Sequence, residues 1–163
     1  MVKAYFLLGV EDLSVPMEIR NKVFVEEQGF SAENENDDMD SRALHIVFTN
    51  DGKPVATGRL YFADGAWNIG RVCVLPEYRN LHLGDLLMRA LLDQAIHYGA
   101  DEIRVGAQKQ VTGFYEKLGF EPYGEEYLDE GWPHVHMHIS AKKVNEFVFG
   151  GCGGNCGSCG KCG

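Results

Sequence analysis

Leu83, Leu86, Leu87, Ala90, Leu91, Ala95 and Tyr98 recur at spacings of three and four, which predicts one long helix with a single buried face, stopped by Gly99. A different period governs the residues around it. Ile103, Val105 and Ala107 alternate with Glu102 and Arg104, as a strand with one buried face requires. Upstream, three β-rich runs at 44–48, 55–62 and 67–74 are separated by Asn50-Asp51-Gly52 and Asp64-Gly65. Asp-Gly between such runs predicts hairpins, hence an antiparallel meander. The short apolar run 1–9 reads as a first strand rather than a signal segment. Ser14, with Pro16 close behind, predicts a helix start capped by the serine hydroxyl. That helix runs to about Gln28, buries Ile19, Val23 and Phe24, and ends at Gly29. A shorter helix carries Val111, Phe114, Tyr115 and Leu118 on one face and closes at Gly119. Alternation over 132–139 predicts a closing strand pair.

The order of elements is therefore strand, helix, meander, crossover helix, strand, helix, strands. A strand–helix–strand crossover joined to a meander makes a mixed sheet with helices on its faces, an α+β fold. A length of 163 residues suits one domain. The stretch beyond Phe149 contains only Gly, Cys, Asn, Ser and Lys and cannot form a core, so the expected division is a domain of 1–149 and a tail of 150–163.

Charge narrows the partners. Fifteen basic against 24 acidic residues leave a balance of −9, which gives little attraction for nucleic acid or anionic membrane and more for a cationic substrate such as an amine. With no apolar run of membrane-spanning length, the expectation is a cytoplasmic protein. The acidic tract from Glu33 to Asp40 reads as a solvated loop, with an amine-attracting rim as the sharper alternative. In the tail, Cys152, Cys156, Cys159 and Cys162 suit capture of zinc or an iron–sulfur cluster as well as a redox-sensitive role.

The densest chemical information lies where the third meander strand meets the long helix, at Arg79-Asn80-Leu81-His82-Leu83-Gly84. The first amides of a helix have no intrahelical partner and carry the positive end of its dipole, so a pyrophosphate can dock on them. Gly84 removes a Cβ where such a ligand would approach. This turn resembles motif A of the GNAT N-acetyltransferase superfamily, Arg/Gln-x-x-Gly-x-Gly/Ala, with Arg79 and Gly84 in the end slots. His82 stands in the middle glycine slot, and a helical φ is the expectation there. Gln108, Val111, Phe114-Tyr115 and Gly119-Phe120 resemble motif B of the same superfamily. Segments 23–28, 69–72, 106–108 and 131–134 resemble its ElaA-like branch.

The resemblance implies a mixed, mostly antiparallel central sheet flanked by helices, and an N-acetyltransferase with acetyl-CoA as co-substrate. It implies that Arg79, Asn80, Leu81, His82, Leu83, Gly84 and Asp85 meet the pyrophosphate. Val72, Cys73 and Val74 would meet the pantetheine arm and the acetyl carbonyl, with Gln108 and Phe114 beside them. Tyr115 would be general acid for the departing thiolate. The helix end carrying Glu26, Glu27 and Gln28 would border the acceptor amine. A homodimer is a further expected partner state.

Transfer to an amine requires the amine to lose a proton. Glu27 is the preferred base by the resemblance, with Glu26 as its neighbour. His134 is expected to line the acceptor pocket and is a second base candidate. His134, His136 and His138 share one strand face, yet residues two apart on one flat strand rarely complete a zinc site. Cys73 reads as a small core residue.

Overall fold

A computed structural model describes residues 1–149, so the four tail cysteines and the expected metal capture lie outside the described residues. Seven strands form one sheet in the order β1 (Val2–Leu8), β2 (Leu44–Asn50), β3 (Lys53–Ala63), β4 (Ala66–Val74), β5 (Glu102–Gln108), β7 (Trp132–Ser140), β6 (Glu121–Asp129). Every neighbouring pair is antiparallel except β4 and β5, which are joined by the crossover helix α3 (Leu83–His97). The expected α+β architecture is the observed one.

The two sheet faces are covered unequally. On one, α3 lays Leu87, Met88, Leu91, Leu92 and Ala95, all fully buried, against Ile46, Leu60, Ile69, Ile103, Val105 and Met137. Tyr115 and Leu118 of α4 (Thr112–Lys117) complete this core with Phe120 just beyond it, as do Val144 and Val148 after the short helix α5 (Ala141–Lys143). On the other face, Ile19 of α1 (Ser14–Arg20) and Val23, in the helical segment that continues it, sit on Val47 and Cys73. Among the described residues, nothing comparable covers the Tyr123, Tyr127, His136 and His138 side of β6 and β7.

Three local expectations change. The Ser14 hydroxyl makes no capping bond. The Asp12 carboxylate accepts the Ser14 amide instead, at 2.9 Å. The helix does not run as α to Gln28 but widens into a π-helical segment, Asn21–Glu27, a form that tends to occur at functional sites. Most consequentially, the acidic tract is not a solvated loop. It contains a single helical turn, α2 (Ala32–Glu35), and it wraps around three arginines. Asp40, buried, takes Arg20 at 2.7 Å and Arg59 at 2.8 Å. Glu35 takes Arg20 at 2.7 Å. Asp37 takes Arg59 at 2.6 and 2.8 Å and Arg71 at 3.3 Å. The charges of Glu35, Asp37 and Asp40 are spent on these pairs because α1, β3 and β4 present guanidiniums that would otherwise be buried alone, which costs far more than burying a pair.

Burial pushes the Asp40 carboxyl up, but the Arg20 and Arg59 guanidiniums outweigh it and hold it below the usual carboxylate range. Its folded pKa being the lower one, Asp40 supports the fold above the ordinary aspartate range near pH 4 and loses that contribution as pH falls through it. His45, whose Nε2 donates to the Asp40 carbonyl at 2.9 Å, is held below its ordinary value chiefly by burial, so its contribution begins to fade below about pH 6.5. We expect Asp40→Asn to lower unfolding stability by about 3–5 kcal/mol at neutral pH in urea titrations, since it leaves two buried guanidiniums short of charge. Wild-type stability should fall in two stages on acidification, and the Asn variant should lack most of the lower one.

Candidate active site

The site originates in a fork in the sheet. β4 and β5 pair only from Trp67↔Ile103 to Ile69↔Val105 and then separate. Across the other edge of β4, Gly70 still faces Arg59, but Cys73 faces Thr57, so β4 carries an extra residue there, and Arg71 sits at φ 52°. This β-bulge bends the end of β4 away from β5 and opens the gap. A cavity of about 830 Å³ passes through the fork, with Val72, Cys73 and Val74 on one side and Gly106 and Gln108 on the other.

At one end of the cavity stand His82, Gly84 and Asp85 at the start of α3, together with Arg79, Phe114 and Lys117. His82 has φ 56° and ψ 27°, the left-handed conformation, which corrects the expected helical φ. The chain reverses at this residue between the 3₁₀ helix Pro76–Leu81 and α3, and histidine is among the side chains that tolerate this region, at about 1–2 kcal/mol of strain. Its strain places the free amides of the first α3 turn at the cavity wall. A Cβ on Gly84 would sit 3.5 Å from the Phe114 ring, ordinary contact, so the protein itself has room for a side chain there. Asp85, the one acid in that turn, is paired to Arg89 at 2.8 Å.

Three residues of this turn keep their side chains off the cavity. Leu83 is fully buried in the core, and Leu81 is half exposed; neither Asn80 nor Leu81 lines the cavity. The side chain of Lys117, missed in the sequence because it lies on the exposed face of a short helix, supplies a cation at this end.

The middle holds Tyr115 and Cys73. Burial raises the Tyr115 hydroxyl to about 12, so it is a proton donor and not a base at neutral pH. Burial pushes the Cys73 thiol far above its ordinary value, so it is no nucleophile. A line of amides crosses the cavity here: Gln110 donates to Gln108 at 2.6 Å, and Gln108 to Gln28 at 2.8 Å.

The far end is roofed by Phe24, Phe30, Asn34 and Glu35 and floored by Asp129, Glu130 and His134. Phe30 stacks on Trp132, with centroids 5.8 Å apart, and Glu130 accepts from the Ser31 amide and the Asn34 side chain at 3.2 Å. The 29–42 tract is thus fastened to the β6–β7 turn across the cavity mouth. Glu26 is exposed and does not line the cavity. Glu27 forms a bidentate pair with Arg79 at 2.7 and 2.5 Å, and this hydrogen bonding lowers its pKa against a smaller effect of burial. A carboxylate held in this way is a poor proton acceptor, which argues against the base expected from the sequence. The same pair occupies the arginine expected on phosphate. Among the described residues no group of histidine, cysteine and carboxylate side chains is arranged to hold a metal.

Residues 13–141 match the acetyltransferase (GNAT) domain family. N-acetyltransferase YjcF of Bacillus subtilis, itself named as uncharacterized, is 37% identical over 137 residues, which is 83% of this chain and 98% of the relative. Protein ElaA of Escherichia coli is 32% identical over 135 residues, covering 80% and 88%. The crystal structure of E. coli ElaA superposes with a TM-score of 0.78 over 86% of this chain and all of that one, at 29% identity. An acyl-CoA N-acyltransferase from Pseudomonas aeruginosa gives the same TM-score at 27% identity, covering 86% and 100%.

The burial of Cys73 generates a simple test. In native protein at neutral pH, iodoacetamide should leave the Cys73 peptide unmodified by mass spectrometry over a period that fully alkylates it in urea, because a buried, protonated thiol reacts slowly.

Proposed function

The chain belongs to the GNAT acetyltransferase family, in its ElaA-like branch, and from that premise we propose that it transfers an acetyl group from acetyl-CoA to a primary amine. The observation that carries this reading is the fork between β4 and β5, whose cavity joins a helix start at one end to an acidic, aromatic chamber at the other. The family uses acyl-CoA as co-substrate, and the residues fit it. The α3 amides with Arg79, His82 and Lys117 suit the pyrophosphate, and the open edge of β4 at 72–74 offers backbone groups to a pantetheine arm.

The chain's own residues then divide the work. The backbone of Val72, Cys73 and Val74 orients the thioester, with Gln108 and Phe114 lining the passage. Tyr115, protonated at any physiological pH, gives a proton or hydrogen bond to the departing thiolate. Asp129 and Glu130 at the mouth attract a cationic amine, and Gln28 and His134 line its approach. Arg79 reaches phosphate by exchanging Glu27 for it, so Glu27 acts as the arginine's resting partner.

Three measurements check this reading. A screen of primary amines for acceptor-dependent release of CoA thiol should find at least one substrate. Tyr115→Phe should then lower kcat by about 10²-fold while leaving the Kd for CoA unchanged, whereas an acyl-CoA sensor would show no turnover to lose. Gly84→Val should fold with a midpoint near wild type, because the Cβ it adds meets only the Phe114 ring at ordinary contact distance, yet bind CoA at least about tenfold more weakly by calorimetry, a loss of about 1.4 kcal/mol.

A further inference from the structure

With Glu27 tied to Arg79, the group that takes the acceptor's proton must be sought elsewhere. A second chamber of about 230 Å³ lies on the uncovered face of the sheet, and its walls overlap those of the main cavity at Ile69, Gly70, Arg71, Gly106, Asp129 and His134. Of these six, only Asp129 and His134 have side chains with a lone pair that can accept a proton. Asp129 is an exposed residue at the end of β6. His134 is 7% exposed and stands mid-sheet, in register with Gln108 of β5 on one side and Tyr127 of β6 on the other.

The ring's tautomer is fixed by its own strand. Nδ1 lies 2.8 Å from the Trp132 carbonyl oxygen, and a carbonyl can only accept, so Nδ1 carries the hydrogen. Nε2 is left with a lone pair. Tyr127 packs on the ring at 5.5 Å and Phe30 meets it edge-on at 6.5 Å, which hold its orientation. The Tyr127 hydroxyl sits over Gly106 where a Cβ would collide with it, so the glycine makes room for the tyrosine at this wall of the passage. The charged and titratable groups lining the second chamber are Arg59 and Tyr61 of β3, Arg71 of β4, Arg104 of β5, Tyr123, Tyr127 and Asp129 of β6, and His136 of the same strand; from the main cavity Glu130 of the turn and Glu35, paired with Arg71, face His134.

We infer that His134 is the general base of the reaction, accepting the proton of the acceptor ammonium on Nε2 and releasing it to water through the second chamber. The inference rests on the acetyl-transfer reading. The protons balance as follows. The ammonium gives one to His134; the neutral nitrogen bonds to the thioester carbonyl carbon and the carbon–sulfur bond breaks with its electron pair on sulfur. The nitrogen's second proton replaces the one Tyr115 gives to the thiolate. The products are the acetamide, free CoA thiol and one proton released. In the imidazolium, Nδ1–H stays on Trp132, so the ring does not turn over during the cycle.

The test uses the full chain and His134→Gln with ethylamine, almost wholly protonated at pH 7, and 2,2,2-trifluoroethylamine, largely neutral there. Thiol release is followed from about pH 6 to about pH 9.5. For ethylamine we expect kcat/KM to fall about 10²-fold near neutral pH and its ascending limb to shift to that of the amine itself, whereas the fluorinated amine should change less than about threefold. CoA affinity should match wild type. Equal losses on both amines, or an unchanged limb, would overturn the assignment. Long-range ¹H–¹⁵N NMR of wild-type protein should show His134 protonated on Nδ1 and bare on Nε2 at high pH. The opposite tautomer overturns the assignment without reference to any acceptor. Binding of acetyl-CoA with no turnover of either amine, or of any in the screen, overturns the acetyl-transfer reading and the assignment with it.

Discussion

Asp40 sits where two arginines from different elements would otherwise be buried alone, and most of the site's geometry follows from that fact. Arg20 comes from α1 and Arg59 from β3, both almost completely buried, and each reaches the same carboxylate. Burying one such charge unpaired is prohibitive. The chain can place these arginines inside only if the acidic tract folds over them, and in doing so the tract becomes the roof of the cavity. Phe30, Asn34 and Glu35 reach the acceptor end because Glu35, Asp37 and Asp40 are anchored. The network serves placement more than net stability, since a buried ion pair contributes little beyond replacing what its burial removes.

The same constraint meets the sheet at Arg71. Its guanidinium is drawn to Glu35 and Asp37, on the roof side, while its backbone sits in the left-handed region at the bulge. Strain of this kind persists only where surrounding contacts over-determine it. Here those contacts are the ion pairs on one side and continued β3–β4 pairing at Thr57↔Cys73 on the other. Ion pairing thus helps hold the bend by which β4 leaves β5. Opening the fork and building the roof are consequently one structural event, although they belong to segments more than thirty residues apart in sequence.

How much of this the sequence displays depends on whether the signal is local. Asp64-Gly65, the three- and four-residue spacing from Leu83 to Ala95, and the alternation at 103–107 each carry their structure within a few residues, and the sheet, the crossover helix and the meander follow from them. The turn that opens α3 and the placement of Tyr115 on α4 are legible for the same reason. The acidic tract is not, because its composition is that of a solvated loop and its partners Arg20, Arg59 and Arg71 are dispersed over strands and a helix. His82 misleads in a related way. Its side chain argues for a helical φ, but the reversal between the 3₁₀ helix and α3 needs a left-handed residue at that point, and tertiary demand wins over the roughly 1–2 kcal/mol preference. Lys117 and Asp129 carry no local signal at all, since each becomes part of the site only through the cavity it borders.

Glu27 and His134 show that pairing, and not residue type alone, decides which side chain keeps a lone pair free. A carboxylate beside a cavity is a natural acceptor in composition, but a bidentate arginine lowers its basicity and occupies both oxygens. An imidazole with one nitrogen donating to a backbone carbonyl keeps the other free to accept a proton. The two pairings also differ in what they respond to. The Arg79–Glu27 pair is half exposed and stands where an anion would compete for the arginine, so it is open to exchange when phosphate arrives. The His134–Trp132 bond is within one strand and has no such competitor. One pairing is therefore suited to responding to co-substrate and the other to remaining fixed through the cycle, and the fold separates them by placing the first on the helix-start side of the fork and the second on the far end of its cavity.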